Sequence, residues 1–249
     1  MRGKRIQLLG SNLDALTMQE SIARIEKLIL SKKPIQHVVI NASKVNLLAR
    51  DEKLRAIINE SPIVNADGQS IIWAARFLGH DIPERVTGID LFQALIQHAE
   101  KKGLRPYYFG ATEEVVQQVV KKHREMYPML DIAGYRNGYF KDWESFQIAE
   151  EIKASQADLL FVAFSSPKKE FWIDAHKDIM QVPFVMGVGG SFDIVAGKTK
   201  RAPKWIQKIG MEWFYRFLQE PVRMFERYVV GNFHFVKLVL REKRKQKWS

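Results

Sequence analysis

Five short apolar runs in this 249-residue chain each end in a small or polar group and pass directly into a helical pattern. The endings are Asn41, Asp67-Gly68, Gly110-Ala111, Ser165-Ser166 and Gly189-Gly190-Ser191. Short strands alternating with helices of roughly 10–15 residues specify an α/β fold with a mainly parallel sheet. The run from Asp158 to Phe164 reads as a continuous apolar strand, as expected for one buried on both faces. Parallel strands present their carboxyl ends on one rim, so the five endings should converge. Ligands of open α/β sheets bind at that rim.

The remaining boundaries follow from local signals. Strands are expected over Arg5 to Leu9, Gln36 to Ile40, Pro106 to Phe109, Asp131 to Tyr135 and Pro183 to Val188. Thr17-Met18-Gln19-Glu20 is a capping box opening a helix through Leu30. Ser43 to Asn59 is helical with a break at Arg50-Asp51, and Asp90 is expected to cap a helix running to Lys102. Further helices are expected from Thr112 to Tyr127, from Asp142 to Ser155 and after Pro167, with proline near the first turn. There is no internal repeat, and the one composition boundary lies near Gly197.

Several chemistries are excluded. The chain has no cysteine, which removes disulfides, thiolate metal sites and cysteine nucleophiles. No uncharged apolar run reaches the ~18–20 residues that cross a bilayer. Ser11, Asn12 and Asp14 interrupt the apolar start too early for a signal peptide. There is no GxGxxG and no Walker A motif. The six histidines are scattered, no Asp-x-Asp occurs, and neither a metal nor a cofactor is expected. His123 and His176 lie in helical segments and read as surface residues.

The strand-end loops carry the candidate ligand contacts. Gly110, Ala111, Ser166, Gly189 and Gly190 expose backbone N–H groups at helix starts, where phosphate is favoured. Glycine also ends strands for turn geometry alone. If the ligand carries a diphosphate, protein cations must neutralise it, and Arg85, Lys168, Lys169 and arginines near the end of the chain are available. Lys168-Lys169 reads equally as a solvated helix start. Asp67 has two readings as well. It caps the following helix while Gly68 makes the turn, or it stands at the rim as a base for a bound hydroxyl.

The net charge of +11 is unevenly distributed: residues 198–249 carry +10 and ten of the 28 Phe, Trp and Tyr. This divides the chain into a nearly neutral core, 1–197, and a basic appendage, 198–249. From Pro203 the pattern is helical, with Trp205, Ile209, Trp213 and Phe217 in steps of four and a break at Pro221. Beyond it Phe225, Val229, Phe233, Val236 and Leu240 share one face, and Arg223, Arg227, His234, Lys237, Arg241 and Arg244 the opposite one. An apolar stripe beside a basic stripe suits an anionic membrane surface. The alternatives are that the apolar stripe packs on the core, or that the basic cluster binds nucleic acid.

Taken together, certain motifs resemble the WecG/TagA/CpsF family of bacterial glycosyltransferases (glycosyltransferase family 26). They are Asn41-Ala42-Ser43-Lys44, Asn65-Ala66-Asp67-Gly68, Arg85-Val86-Thr87-Gly88-Ile89-Asp90, Tyr108-Phe109-Gly110-Ala111 and Asn137-Gly138-Tyr139-Phe140. They continue with Ser166-Pro167-Lys168-Lys169-Glu170, Gly187 through Asp193, Lys200-Arg201-Ala202-Pro203, Gly210 through Arg216 and Glu220-Pro221. The resemblance implies a Rossmann-like core of the glycosyltransferase-E type with a C-terminal helical membrane-binding appendage. It implies transfer of a sugar, with inversion and without a metal, from a UDP-sugar to a sugar on a polyprenyl diphosphate. The place is the cytoplasmic face of the bacterial inner membrane, with the appendage completing the site there. It also implies that Asp67 is the base with Asn41 beside it, and that Arg85, Arg216, Arg223 and Arg227 contact substrate. Tyr139, Lys169 and Asp193 are further candidate substrate contacts within these motifs. Self-association is plausible by the same resemblance, and no nucleic acid is expected. Two residues depart from the pattern. Val39 stands where some members have threonine, and Lys169 where many have glutamine, so the donor need not be of the N-acetylmannosamine type. The rival classes are a non-catalytic membrane-surface module and an RNA-binding α/β protein.

Overall fold

The computed structural model describes residues 5–246, apart from the side chains of Arg223 and Arg227. A hairpin, β1 (Arg5–Leu8) and β2 (Ser11–Asp14), precedes α1 (Met18–Leu30) and β3 (Ile35–Ile40). Then come α2 (Ala42–Leu48), α3 (Glu52–Glu60), β4 (Ile63–Ala66), α4 (Gln69–Phe77) and α5 (Gly88–Lys102). The middle of the chain forms β5 (Pro106–Gly110), α6 (Glu113–Met126), β6 (Gly134–Arg136), α7 (Ser145–Ala154) and β7 (Leu159–Ala163). The core closes with α8 (Lys168–Met180), β8 (Phe184–Gly187) and α9 (Ser191–Ala196). The tail folds as α10 (Lys204–Lys208), α11 (Glu212–Gln219), α12 (Pro221–Phe225), a π-helical turn (Glu226–Val230) and α13 (Gly231–Gln246).

Six strands form one sheet in the order β4-β3-β8-β7-β5-β6, and every neighbouring pair is parallel. The expected α/β architecture is present, and all six carboxyl ends lie on one rim. Successive residues face opposite sides of the sheet. Tyr108, Phe161 and Met186 pack with α1, α5 and α6. Phe109, Leu160, Val162 and Val185 pack with α7 and α8 on the other face. A third cluster joins the hairpin, α2, α3 and α4 to Phe235 and Val239 of α13.

Some local expectations change. Arg5 to Leu9 is half of a hairpin, turned by Leu9 and Gly10 at φ 51° and 79°. Both signs are those of a tight primed turn, but Leu-Gly is a weak marker for one. Thr87, not Asp90, caps α5: its hydroxyl accepts the Asp90 N–H at 3.2 Å. The tail does not run as one helix from Pro203 to Pro221. It breaks at Gly210, at φ 76°, where a Cβ would meet the Gln69 side chain at 2.5 Å.

His123 is not a surface residue but fully buried, with the Tyr108 hydroxyl 2.7 Å from its Nδ1. His37 is buried too, its Nε2 at 2.9 Å from Asn65 Oδ1. Burial pushes both imidazoles down to about 4. In the unfolded chain they return to about 6.5, so that state binds more protons as the pH falls from about 6.5 to about 4. Stability is full above that window and declines through it, by about 3 kcal/mol per histidine. Urea melts at about pH 7.5 and about pH 5 should show the loss, and His123→Gln should lose less. Equal wild-type stability at the two values would refute the assignment.

Candidate active site

β3 and β4 pair in register through Ile40 and Ala66, so the next residues, Asn41 and Asp67, leave adjacent strand ends. Asn41 caps α2, its Oδ1 accepting the Lys44 N–H at 3.0 Å. Its Nδ2 points to Asp67 Oδ2 at 3.4 Å. The other oxygen, Asp67 Oδ1, accepts the Gly88 N–H at 2.9 Å. α4 begins at Gly68 with no side-chain cap. The capping reading of Asp67 therefore fails, since its carboxylate is held by two residues outside the helix it precedes. Val39 forms the floor: a Cβ on Gly88 would meet its methyl groups at 3.7 and 3.9 Å.

A buried charged cluster stands beside this pair. Lys44 Nζ donates to Glu170 Oε1 at 2.7 Å, with the two side chains 4% and 1% exposed. Ser166 Oγ donates to the same oxygen at 3.0 Å, and Lys169 Nζ donates to Ser166 Oγ at 2.5 Å. Burial acts to raise the Glu170 pKa. The Lys44 and Lys169 ammonium groups, with the hydrogen bonds from Lys44 and Ser166, outweigh it and hold the carboxyl down to about 2. The Lys169 stem lies over Gly187, where a Cβ would come within 2.6 Å of it. Lys169 is thus buried rather than a solvated helix start, while Lys168 stands over the rings of Phe140 and Phe164 at 5.0 and 5.6 Å.

The β8 loop meets the tail. A Cβ on Gly190 would stand 3.2 Å from Arg216 Nη2 and 3.9 Å from Asp193 Oδ2. Arg216 Nε is buried without a hydrogen-bond partner. β8 is two strand steps, about 10 Å, from β4, so the loop that Arg216 meets opens on the same part of the rim as Asp67. Gly189, at φ 53°, makes the turn that starts this loop.

Gly110 and Ala111 end β5, and here close packing explains the glycine. A Cβ on Gly110 would strike the Ala163 backbone at 2.8 Å, and Gly138 presses on Gly110 from the other side. Tyr139 is exposed beyond β6. β6 and β4 are opposite edges of the sheet, five steps or about 24 Å apart, so the structure does not bring Tyr139 to Asp67. Arg223 and Arg227 fall on side chains outside the described residues. Among the described residues no group of three His, Asp or Glu could hold a metal ion.

Three features escaped the sequence. Arg201 grips Asp90 with two nitrogens, at 2.5 and 2.9 Å, and Glu212 with its Nε at 2.9 Å. Arg85 donates to the Gln207 carbonyl at 3.3 Å and stands 4.0 Å from Glu212, so it too faces the tail. Gly210 seats the tail on Gln69, two residues beyond Asp67. These contacts hold the tail against the loops of Asp67 and Gly88. Only the conspicuous Arg201 and Glu212 hinted at them, since partners 111 residues apart leave no local spacing. Arg201→Gln removes charge-assisted hydrogen bonds of the kind worth ~1.5–3 kcal/mol. Amide exchange in residues 204–219 should then accelerate roughly tenfold or more while β3 and β8 stay protected. Unchanged exchange in the tail would show that Arg201 is not its anchor.

A family model described as "Glycosyl transferase WecG/TagA/CpsF family" matches residues 6–249. A Bacillus spizizenii protein named N-acetylglucosaminyldiphosphoundecaprenol N-acetyl-beta-D-mannosaminyltransferase is 31% identical over 195 residues, 78% of this chain and 74% of its own. Proteins of the same name from Bacillus subtilis and Staphylococcus aureus are 33% and 29% identical. They cover 70% and 87% of this chain, and 67% and 85% of their own lengths.

Proposed function

Because the chain belongs to the WecG/TagA/CpsF family of glycosyl transferases, we propose that it moves a sugar from a UDP-sugar to a sugar carried on a polyprenyl diphosphate. The observation that carries this reading is the Asp67 carboxylate, released from helix capping and oriented at the rim by Gly88 and Asn41. Asp67 takes the proton of the acceptor hydroxyl as that oxygen attacks the anomeric carbon. The bond from that carbon to the UDP oxygen breaks, and UDP leaves with the electron pair. The relatives are named for delivering a β-linked sugar to N-acetylglucosaminyl diphosphoundecaprenol. An α-linked nucleotide sugar giving a β product inverts that carbon, as a single displacement does.

Charge developing on the departing diphosphate needs fixed positive groups, often the largest catalytic contribution. We assign it to Arg216, whose buried Nε has no partner, with Gly189 and Gly190 of the β8 loop, and to Arg223 and Arg227. Protein cations then serve in place of a metal. Lys169, over Gly187, borders the same stretch of rim. Arg85 acts by holding the tail in place. Ser166 positions Lys169 and Glu170, Asp193 stands by the loop for a sugar or ribose hydroxyl, and Gly110, Ala111 and Tyr139 stand on the β5 and β6 side of the rim, away from Asp67.

The tail supports a place at the membrane surface. No helix among the described residues is long and apolar enough to cross a membrane. The stripe of Phe225, Val229, Phe233, Val236 and Leu240 is exposed, while a different pair, Phe235 and Val239, packs on the core. Half-exposed Phe77 of α4 extends this surface under Lys243, whose Nζ lies 5.6 Å from the ring centroid. The test is a panel of UDP-sugars with a short-chain polyprenyl-diphosphate N-acetylglucosamine, read by mass. One donor should extend the acceptor by one sugar. No extension with any of them would end the proposal.

A further inference from the structure

We propose that the cleft between α2 and α13 binds a phosphate group, and that its ligand is the headgroup of an anionic lipid; this rests on the membrane-surface reading above. The cleft has a volume of about 190 Å³ and is lined by Asn46 of α2 and Arg50 of the turn after it, and by His234, Lys237 and Arg241 from α13. The last three sit at i, i+3 and i+7 and share a helix face. None of Arg50, Lys237 and Arg241 is paired with a carboxylate among the described residues.

The helix that carries Lys237 and Arg241 is fixed to the core rather than loose. Asn46 Nδ2 donates to the Gly231 carbonyl at 2.7 Å, pinning the start of α13 to α2, and its Oδ1 is buried without a partner. Phe235 and Val239 bury against the cluster that contains Val45 and Leu48 of α2. Three like charges converging on one cavity repel, and a shared anion removes that repulsion. Two guanidinium forks suit the oxygens of a phosphate. The cleft lies at the carboxyl end of α2, where the helix dipole is negative, so the side chains alone must hold the anion.

Two features favour a lipid as its source. The cleft is at the opposite end of α2 from Asn41, about 10 Å along the helix, and so apart from the catalytic rim. The exposed Phe233, Val236 and Leu240 lie on the same helix beside the basic face, not opposite it as the sequence pattern suggested, because buried Phe235 and Val239 take the remaining side. Charge and apolar surface are thus presented side by side, as headgroup and acyl chain require.

The full chain carrying Arg50→Gln, Lys237→Gln and Arg241→Gln should bind phosphatidylcholine vesicles doped with phosphatidylglycerol roughly a hundredfold more weakly than wild type. A charge-matched control, Lys198→Gln with Lys204→Gln and Lys208→Gln, should lose less than about tenfold. Thermal melts check that both variants fold. Soluble glycerol phosphate, followed by calorimetry, separates the sources. Binding to wild type and not to the cleft variant means the site takes the free headgroup as well. Vesicle binding alone means it needs the lipid. Equal losses in the two triple variants, with no glycerol phosphate bound, would overturn the site but leave the membrane reading intact. Failure of wild type itself to bind the doped vesicles would overturn that reading and this one together.

Discussion

Asp67→Asn is expected to lower turnover roughly 10²–10⁴-fold, the usual cost of losing a general base. The substitution keeps the size of the side chain and one oxygen that can still accept the Gly88 N–H. Its amide nitrogen would meet the Asn41 Nδ2 donor, so Asn41 must rotate or lose that weak contact. The stability cost is about 1 kcal/mol, a few degrees in Tm at most. UDP binding, which the β8 loop and Arg216 provide in this reading, should not change. The decisive measurement is kcat with a lipid-linked acceptor, beside UDP affinity and a thermal melt. Turnover near that of wild type would remove the base from Asp67. Lost UDP affinity together with lost turnover would point to a structural defect instead.

Glu170→Leu is expected to destabilise the protein by about 3–5 kcal/mol, or about 10 °C in Tm, because Lys44 is then left charged and buried without its partner. Part of this should return in the double variant Lys44→Met/Glu170→Leu, since a buried ion pair replaced by apolar side chains is often neutral, while Lys169, 3.4 Å from Glu170, still loses that carboxylate. Lys44 sits on the turn that Asn41 caps, and Glu170 sits on the first turn of α8. The pair thus locks the base of the Asn41 loop to the strand-end loop bearing Ser166. The double-mutant cycle measures that coupling directly. A single variant as stable as wild type, or a double variant no better than the single, would show that the pair does not hold these loops together.

The fold was largely legible because α/β order is written in local signals. The capping box at Thr17, the break between α2 and α3, and the apolar strand that became β7 depend on neighbours within a few residues. The hairpin at Leu9-Gly10 was not legible, because its turn lacks a strong residue marker and its partner strand, Ser11–Asp14, is polar at every position but Leu13. Asp14 is buried there because Arg5, Arg24 and the Val64 N–H surround its carboxylate. His123 was misplaced for a similar reason: the groups that meet its ring nitrogens, the Tyr108 hydroxyl on β5 and the Gln93 amide on α5, lie on other elements.

The site divides the same way. Its residue types and their place at strand ends followed from the chain alone, as did the concentration of positive charge after Gly197. Periodicity also identified Phe225, Val229, Phe233, Val236 and Leu240 as one face. Which face of the tail meets the core was decided by packing, since Phe235 and Val239 are no more apolar than their neighbours. The roles of Lys44, Glu170, Arg201 and Gly210 likewise belong to the tertiary structure. An ion pair spanning 126 residues, or a glycine that makes room for Gln69, exists only once the sheet has brought its strand ends to one rim. Local sequence governs which backbone conformations are cheap. Desolvation and close approach, which decide whether a charge is paired and which surface stays exposed, depend on what the folded chain places opposite.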